Sequence, residues 1–134
     1  MRIYVTEDYN AMSHRVASIL AAQVMLKPDC VLGLATGSTP VGAYKQLVEW
    51  YKKGDLDFSQ VRSINLDEYV GLAPTHDQSY RYFMQSNLFD HVNIVPDNTN
   101  VPYGLAENAA EECRRYIVRQ QGNLALMRIN ISRP

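Results

Sequence analysis

The sequence has little of what marks a disulfide-rich or metal-binding protein. Its 134 residues include two cysteines, Cys30 and Cys113, and three histidines. Two isolated thiols favour a reduced chain over a disulfide framework, and we expect both cysteines to be small core residues. The histidines show no ligand spacing with cysteine, with aspartate or with one another, so the pattern predicts no metal site.

Long apolar runs and clusters of like charge are also missing. The apolar stretch at residues 19–26 is interrupted by Gln23 and is shorter than the roughly 20 residues of a membrane span. The N-terminus does not have the layout of a signal peptide. The formal net charge is −1 with dispersed lysine and arginine, which offers no basic face to nucleic acid or anionic lipid. We therefore predict a cytoplasmic protein that binds neither membranes nor nucleic acid.

The residues that are present have the balance of a globular domain. Hydrophobic residues make up 46% of the chain and charged residues 20%, which is enough apolar material for a core and is not typical of a disordered protein. A chain of this length fits one domain. We therefore interpret residues 1–134 as a single domain.

Apolar periodicity alternates between strands and helices along the chain. It predicts strands at 2–6, 30–35 and 61–66, and helices near 12–24, 41–51, 80–88 and 106–117. The nearly continuous apolar run at 30–35 is typical of a strand that is covered on both faces. Such alternation predicts a Rossmann-like α/β fold, in which a mostly parallel sheet has helices on both faces and ligands bind at the carboxyl ends of the strands.

The loop after the second predicted strand is a candidate phosphate site. We expect Thr39 to cap the following helix and Pro40 to be its first residue. The hydroxyls of Thr36, Ser38 and Thr39 would then converge with the unpaired N–H groups of the helix. Gly37 would let a ligand approach the backbone. A turn followed by an ordinary helix cap is the open alternative, and the local pattern supports it about equally.

The loop after the third predicted strand carries two adjacent carboxylates, Asp67 and Glu68. Neighbouring side chains diverge, so one carboxylate can point into a ligand cleft while the other caps a helix or forms a salt bridge. Asp67, which is nearer the strand, is the candidate base for removing a proton alpha to a carbonyl or imine. An ordinary acidic loop stays open as the alternative. Farther on, we expect Asp77 or Ser79 to cap a helix and prefer this interpretation to a catalytic His76.

These segments resemble the glucosamine-6-phosphate deaminases, also called glucosamine-6-phosphate isomerases, within a wider group that includes the 6-phosphogluconolactonases. The matching segments are residues 33–40 (GLATGSTP), 65–72 (NLDEYVGL), 78–84 (QSYRYFM) and 112–116 (ECRRY). The first is shared by the wider group, whereas the second and third point to the deaminases. The resemblance implies a fold of the deaminase/ribose-phosphate-isomerase type.

The resemblance also implies an activity and a set of site residues. The activity is conversion of glucosamine 6-phosphate to fructose 6-phosphate and ammonia, without an organic cofactor, in amino-sugar catabolism. Asp67 is the implied proton acceptor. The implied substrate-binding residues are Thr36, Gly37, Ser38, Thr39 and Glu68. Some members of the family are oligomeric and others monomeric, so a homo-oligomer remains open.

Residues 121–134 depart from the family pattern. The family continues with a histidine and acidic residues for ring opening, an Asn-Glu-Pro segment and basic residues that hold the phosphate, and none of these has a match here. Residues 124–127 imitate a further strand of the family, but no histidine follows them. We therefore expect a C-terminally truncated, partial domain with impaired turnover. The alternatives are an inactive module that binds sugar phosphate and a 6-phosphogluconolactonase-like hydrolase, against which the segment 65–69 argues.

Overall fold

The computed structural model of the protein describes residues 3–121, with the side chains of 3–118. Four α-helices and three β-strands alternate along most of this chain, and two short 3₁₀ turns follow the third helix. The helices are α1 (Tyr9–Leu26), α2 (Val41–Lys52), α3 (Tyr80–Asn87) and α4 (Ala109–Gln121), and the strands are β1 (Val31–Leu34), β2 (Arg62–Asn65) and β3 (Thr99–Asn100). Within residues 3–121, none of the helices has the length and hydropathy of a membrane-spanning segment.

The three strands form one parallel sheet in the order β1-β2-β3. The mostly parallel α/β architecture is therefore confirmed. The central strand β2 has Ser63, Ile64 and Asn65 all buried. Strand β3 was not predicted, because a pairing of two residues is too short to show a period of two.

Helices cover both faces of the sheet. On one face, residues of α1 and α2 form the main apolar core with Leu32 and Leu34 of β1. On the other face, Ile64 of β2 and Tyr116 of α4 are buried outside that core, which follows from the alternation of side chains along β2. The sheet is thus the middle layer of three.

Helices α1 and α2 approach each other closely at Gly42. A Cβ atom at this position would lie 2.3 Å from the Ser13 hydroxyl oxygen, so only glycine allows this contact. The buried side of α1 accordingly carries small residues, Ser13, Ala17 and Ala21, together with Val24. The close packing places the start of α1 beside the start of α2, which is where the candidate phosphate loop ends.

The predicted strand at 2–6 is wrong for the residues that the structure describes. Residues 3–6 belong to no strand, and Val5 is 94% exposed. A strand requires a neighbour to pair its peptide groups, and the sheet of residues 3–121 contains only β1, β2 and β3. Residues 3–6 therefore have a strand-like sequence but no neighbouring strand to pair with in the part of the chain that the structure describes.

Two further expectations are corrected by burial. Cys30 is buried as predicted, but Cys113 is exposed, because α4 turns Glu112 and Tyr116 inward instead. Strand β1 is not covered on both faces: Leu32 and Leu34 are buried, whereas Gly33 between them is exposed. The apolar run in the sequence thus predicts more burial than the described residues supply.

Candidate active site

The two candidate loops leave neighbouring strands at the same edge of the sheet. In the register of β1 and β2, Leu34 lies opposite Asn65, the last residue of each strand. The Asn65 side-chain amide, which is fully buried, donates a hydrogen bond of 2.9 Å to the Leu34 carbonyl oxygen. This bond ties together the points from which residues 35–40 and 66–79 depart, as the parallel sheet predicts.

The phosphate loop differs in one detail from the prediction. Pro40, not Thr39, is the cap residue of α2, and the cap residue itself makes no side-chain hydrogen bond to the helix. The Val41 N–H bonds to the Ser38 carbonyl as in a turn, at 3.4 Å, and the first helical bond runs from Tyr44 N to Pro40 O. Because Thr39 belongs to this turn, its hydroxyl is not used as a helix cap. Gly37 has φ +89°, which a residue with a Cβ atom adopts only with strain.

Tyr9, at the start of α1, supports the phosphate loop from behind. Its hydroxyl lies 3.1 Å from the carbonyl oxygens of Ser38 and Thr39 and accepts a hydrogen bond of 2.9 Å from the Gly42 N–H. It therefore satisfies one of the free N–H groups at the start of α2 and fixes the directions of two loop carbonyls. Sequence reasoning missed Tyr9, since no local pattern links residues that are about thirty positions apart.

Tyr44 supports the loop from the core side. Its hydroxyl donates a hydrogen bond of 2.6 Å to the Ala35 carbonyl oxygen. Burial raises the pKa of Tyr44 and outweighs the opposite effect of that hydrogen bond, so the hydroxyl stays protonated and remains a donor. Tyr44 therefore holds the loop at its first residue, Ala35, and Tyr9 holds it near its end. Thr36 is half-buried between them, whereas Gly37, Ser38 and Thr39 are exposed to a ligand.

In the acidic loop, Glu68 caps α3. Its carboxylate accepts hydrogen bonds from the backbone N–H groups of Tyr80 at 2.9 Å and Arg81 at 3.0 Å and from the Ser79 hydroxyl at 2.8 Å. Burial by itself raises the pKa of Glu68, but these donors together outweigh it and hold the pKa below its ordinary value. Ser79 is the N-cap residue, as predicted. The expectation that one of the two carboxylates caps a helix is confirmed.

Asp67 diverges from Glu68 and is exposed. The two oxygens of Glu68 are occupied by α3, so contact between Glu68 and a substrate stays a prediction, whereas its contact with the helix is observed. Because Glu68 is anchored at the start of α3, the backbone next to Asp67 is held in place. The role of Asp67 as a base stays a prediction too.

Tyr80, the first residue of α3, packs on the acidic loop. Its hydroxyl donates to that of Tyr69 at 3.1 Å, and the two rings lie 4.8 Å apart. The hydrogen bond to Tyr69 raises the pKa of Tyr80 most, burial and the nearby Asp67 carboxylate raise it further, and the Thr36 hydroxyl lowers it. Tyr80 thus lies against Tyr69 of the acidic loop. The sequence pattern placed Tyr80 on the apolar side of a predicted helix and did not indicate its contact with Tyr69.

The chain after β3 closes the back of the acidic loop. The Gly71 N–H donates to the Gly104 carbonyl oxygen at 2.8 Å. A Cβ atom on Gly104 would lie 2.4 Å from the Tyr69 carbonyl oxygen, so the two loops are in close backbone contact. The Tyr116 hydroxyl of α4 lies 2.8 Å from the Asn65 carbonyl oxygen at the end of β2. Helix α4 therefore holds the strand end from which the acidic loop departs.

The described residues favour acid–base chemistry on a bound anion. Backbone N–H groups, hydroxyls and a glycine line one loop, and an exposed carboxylate lies on the other, where Tyr80 packs on Tyr69. Among residues 3–121 there is no group of three or more histidine, cysteine, aspartate or glutamate side chains that could hold a metal ion. The arrangement suits a phosphorylated ligand whose carbon framework reaches Asp67.

Comparison with known proteins identifies relatives of this chain. A family model described as glucosamine-6-phosphate isomerases/6-phosphogluconolactonase matches residues 6–128. The glucosamine-6-phosphate deaminase of Lachnoclostridium phytofermentans is 54% identical over 133 residues, which cover 98% of this chain and 56% of the relative. That of Clostridium perfringens strain SM101 is 60% identical over 121 residues, which cover 90% and 50%.

A solved structure agrees with these sequence relatives. A monomeric glucosamine-6-phosphate deaminase superposes with a TM-score of 0.89 at 37% identity, over 91% of this chain and 51% of that chain. The chain therefore spans about half the length of the relatives it matches. On this evidence it belongs to the family of glucosamine-6-phosphate isomerases and 6-phosphogluconolactonases, as a homologue of the glucosamine-6-phosphate deaminases over that half.

Proposed function

We propose that this chain carries the phosphate cradle and the enolisation base of a glucosamine-6-phosphate deaminase site. The observation that carries the proposal is the register of β1 and β2, in which Leu34 lies opposite Asn65, so that the loops with Thr36 and Asp67 leave the same edge of the sheet side by side. A sugar phosphate held at the first loop would extend toward the carboxylate on the second. The proposed ligand is a small metabolite of the cytoplasm, and a homo-oligomer stays open.

The phosphate would be held by the start of α2 and the loop before it. The backbone N–H groups of residues 36–39, the positive end of the helix dipole and the hydroxyls of Thr36, Ser38 and Thr39 all favour an anion there, whereas the Val41 and Gly42 N–H groups are already bonded within the protein. Hydrogen bonds to a charged group contribute about 1.5–3 kcal/mol each. Three or four of them, after the cost of association, support a Kd between about 1 mM and 1 μM.

Asp67 would act on the carbon framework of the sugar. In the deamination direction it would take the proton from C2 of the open-chain substrate, which gives an enolamine, and return it to C1, which gives an imine at C2. Water then adds to this imine, the C–N bond breaks, and ammonia and the C2 ketone of fructose 6-phosphate are released. A positioned base contributes roughly 10²–10⁴-fold to such a step. Glu68 supports this role indirectly, because its bonds to α3 restrain the backbone that carries Asp67. The ring-opening step lies outside what these residues supply.

Hydrogen exchange tests this proposal without ring opening. Fructose 6-phosphate has an open-chain keto form in solution, so the chain is incubated with it in D₂O and deuterium at C1 is followed by NMR. We expect exchange above the buffer rate, and a loss of at least about 100-fold with Asp67→Asn. Asp77→Asn, which alters another exposed carboxylate ten residues farther along the chain, is the matched control.

The outcomes distinguish catalysis by Asp67 from an inactive module that only binds sugar phosphate. Exchange that is unchanged by Asp67→Asn would contradict the assignment of the base. Sugar-phosphate binding without any exchange would favour an inactive binding module. The complete reaction is followed in parallel, with ammonia and fructose 6-phosphate measured from glucosamine 6-phosphate. Turnover by this chain alone, abolished by Asp67→Asn, would overturn our expectation that its turnover is impaired.

A further inference from the structure

Asn65, the last residue of β2, carries a polar side chain in an apolar environment. It lies opposite Leu34 in the register of the parallel sheet, and register partners of neighbouring strands place their side chains on the same face. Leu34 belongs to the main apolar core, so the Asn65 amide lies on the core side of the sheet, and the residue is 0% exposed. A buried amide lowers stability unless its polar atoms are hydrogen-bonded. The contacts of this amide therefore decide what it contributes.

Only one end of the Asn65 amide is bonded among the residues that the structure describes. The Nδ2 group donates to the Leu34 carbonyl oxygen at 2.9 Å, whereas Oδ1 is buried and makes no hydrogen bond within the described part of the chain. A buried acceptor without a partner costs free energy of the same order as a hydrogen bond contributes. The amide accordingly adds little net stability, and an apolar side chain would suit the same position. Its distinct contribution is the bond to Leu34.

That bond acts on the spacing of the two candidate loops. Leu34 is followed by the phosphate loop, whose first carbonyl oxygen is held by Tyr44 of α2. Asn65 is followed two residues later by Asp67, and its own carbonyl oxygen lies 2.8 Å from the Tyr116 hydroxyl of α4. The two strand ends are therefore anchored to helices on opposite faces of the sheet. The Asn65 side chain joins them directly, in addition to the backbone ladder.

We propose that Asn65 is a positioning residue, which sets the separation between the phosphate cradle at residues 36–39 and the Asp67 carboxylate. The inference rests on the proposed function, because this separation matters only where a ligand held at one loop reacts at the other. A displacement of about 1 Å between a bound reactant and its base lowers the rate up to about 100-fold, whereas contacts within the cradle do not depend on the separation. Loss of the bond to Leu34 should therefore slow proton transfer and leave affinity nearly unchanged.

Asn65→Leu tests this proposal, because it removes the donor and suits the apolar core. Deuterium exchange at C1 of fructose 6-phosphate is measured at saturating sugar phosphate, and affinity is measured by calorimetric titration. We expect exchange to fall at least about tenfold and Kd to change less than about threefold. The urea midpoint should shift by less than about 0.5 M, since the lost bond and the removed unpaired oxygen offset each other. Asn65→Ala, which cannot overpack the core, should show the same split between exchange and affinity.

Ser63→Ala is the matched control. Ser63 lies two residues earlier on the same face of β2 and is 0% exposed, and its hydroxyl is also buried without a partner among the described residues. Its loss should change neither exchange nor affinity. Residual dipolar couplings of the backbone N–H groups supply a readout that needs no reaction. Those of residues 36–39 and 66–69 should change relative to each other in Asn65→Leu and stay constant in Ser63→Ala.

Each result either supports or overturns the proposal. Slower exchange with retained affinity in Asn65→Leu, together with altered couplings in the two loops, supports it. Unchanged loop couplings, unchanged exchange, a fall in exchange that follows lost affinity or lost stability, or an equal effect of Ser63→Ala would overturn it. If the unmodified chain binds the sugar phosphate but exchanges no deuterium, the proposed function is contradicted. The couplings then decide the positioning role alone: altered loop couplings support it, and unchanged ones overturn it.

Discussion

The carboxyl edge of the sheet and the outer edge of β1 are built in different ways. At the carboxyl edge, side chains from distant parts of the chain close on one another: Tyr9 on the phosphate loop, Glu68 on α3 and Tyr116 on the end of β2. At the outer edge of β1, no strand of residues 3–121 pairs with β1, and Gly33 is exposed. The difference teaches that the two candidate loops have their supports within this chain, whereas the outer edge of β1 has no neighbouring strand among the described residues.

A substitution at Gly104 should break the closed region most severely. In Gly104→Ala the new Cβ atom would lie 2.4 Å from the Tyr69 carbonyl oxygen and 2.8 Å from that of Leu72. Both contacts are with backbone, which cannot move aside cheaply, so we expect a loss of about 2 kcal/mol in the free energy of unfolding. Urea denaturation measures it. Ala22→Val, at an exposed position of α1, is the control, and equal losses in both variants would contradict the close loop packing.

Glu68→Gln should have the next largest effect. A neutral amide accepts more weakly from the N–H groups of Tyr80 and Arg81, and one of its groups cannot accept at all. We expect a loss of about 1–2 kcal/mol at neutral pH. Glu107→Gln, which removes the same charge from an exposed glutamate, is the control.

The pH dependence of stability follows from the same group. The pKa of Glu68 is lowered on folding, so its stabilising effect is complete above its ordinary value of 4.5 and is lost as the pH falls through the lower folded-state pKa. The unmodified chain should therefore lose its advantage over Glu68→Gln in acid. A constant difference between the two from neutral pH into strong acid would contradict the capping role.

Tyr9→Phe should weaken both stability and ligand binding by small amounts. It removes one hydroxyl and leaves the Gly42 N–H without that acceptor, but Tyr9 is exposed enough for water to replace part of the loss. We expect about 0.5–1 kcal/mol of stability to be lost and affinity for glucosamine 6-phosphate to fall roughly three- to fivefold. Calorimetric titration measures the affinity. Tyr4→Phe, which keeps the ring over Arg15, is the control and should leave the affinity unchanged.

The smallest effect is expected outside the closed region. Val5→Ser alters a side chain that is 94% exposed, so the free energy of unfolding of this chain should change by less than about 0.5 kcal/mol. A large loss of stability in the chain alone would contradict the exposure of this segment.

Local patterns predicted the elements that local contacts determine. The helices α1 to α4 and the strands β1 and β2 follow from apolar spacing, and Ser79 follows from its position before a helix. The failures have physical reasons. Strand formation at 2–6 depends on a neighbour, burial of Cys113 depends on how α4 turns, and β3 is too short to show a period.

The site was predicted in part. The two loops could be recognised because each follows a strand and combines the residue types that its chemistry requires. Their supports could not, because Tyr9 and Tyr116 act across long sequence separations that leave no periodic signal. Glu68 is intermediate: its position beside Asp67 indicated that one carboxylate would cap a helix, but only the hydrogen bonds to Tyr80 and Arg81 identify which one.

Binding of the phosphorylated sugar tests the central claim most directly. Glucosamine 6-phosphate and glucosamine are titrated separately into the unmodified chain in a calorimeter. The account predicts saturable binding of glucosamine 6-phosphate with a Kd between about 1 mM and 1 μM and no measurable binding of glucosamine, since the phosphate supplies the contacts. Equal binding of the two sugars, or binding of neither, would contradict a phosphate cradle at residues 36–39.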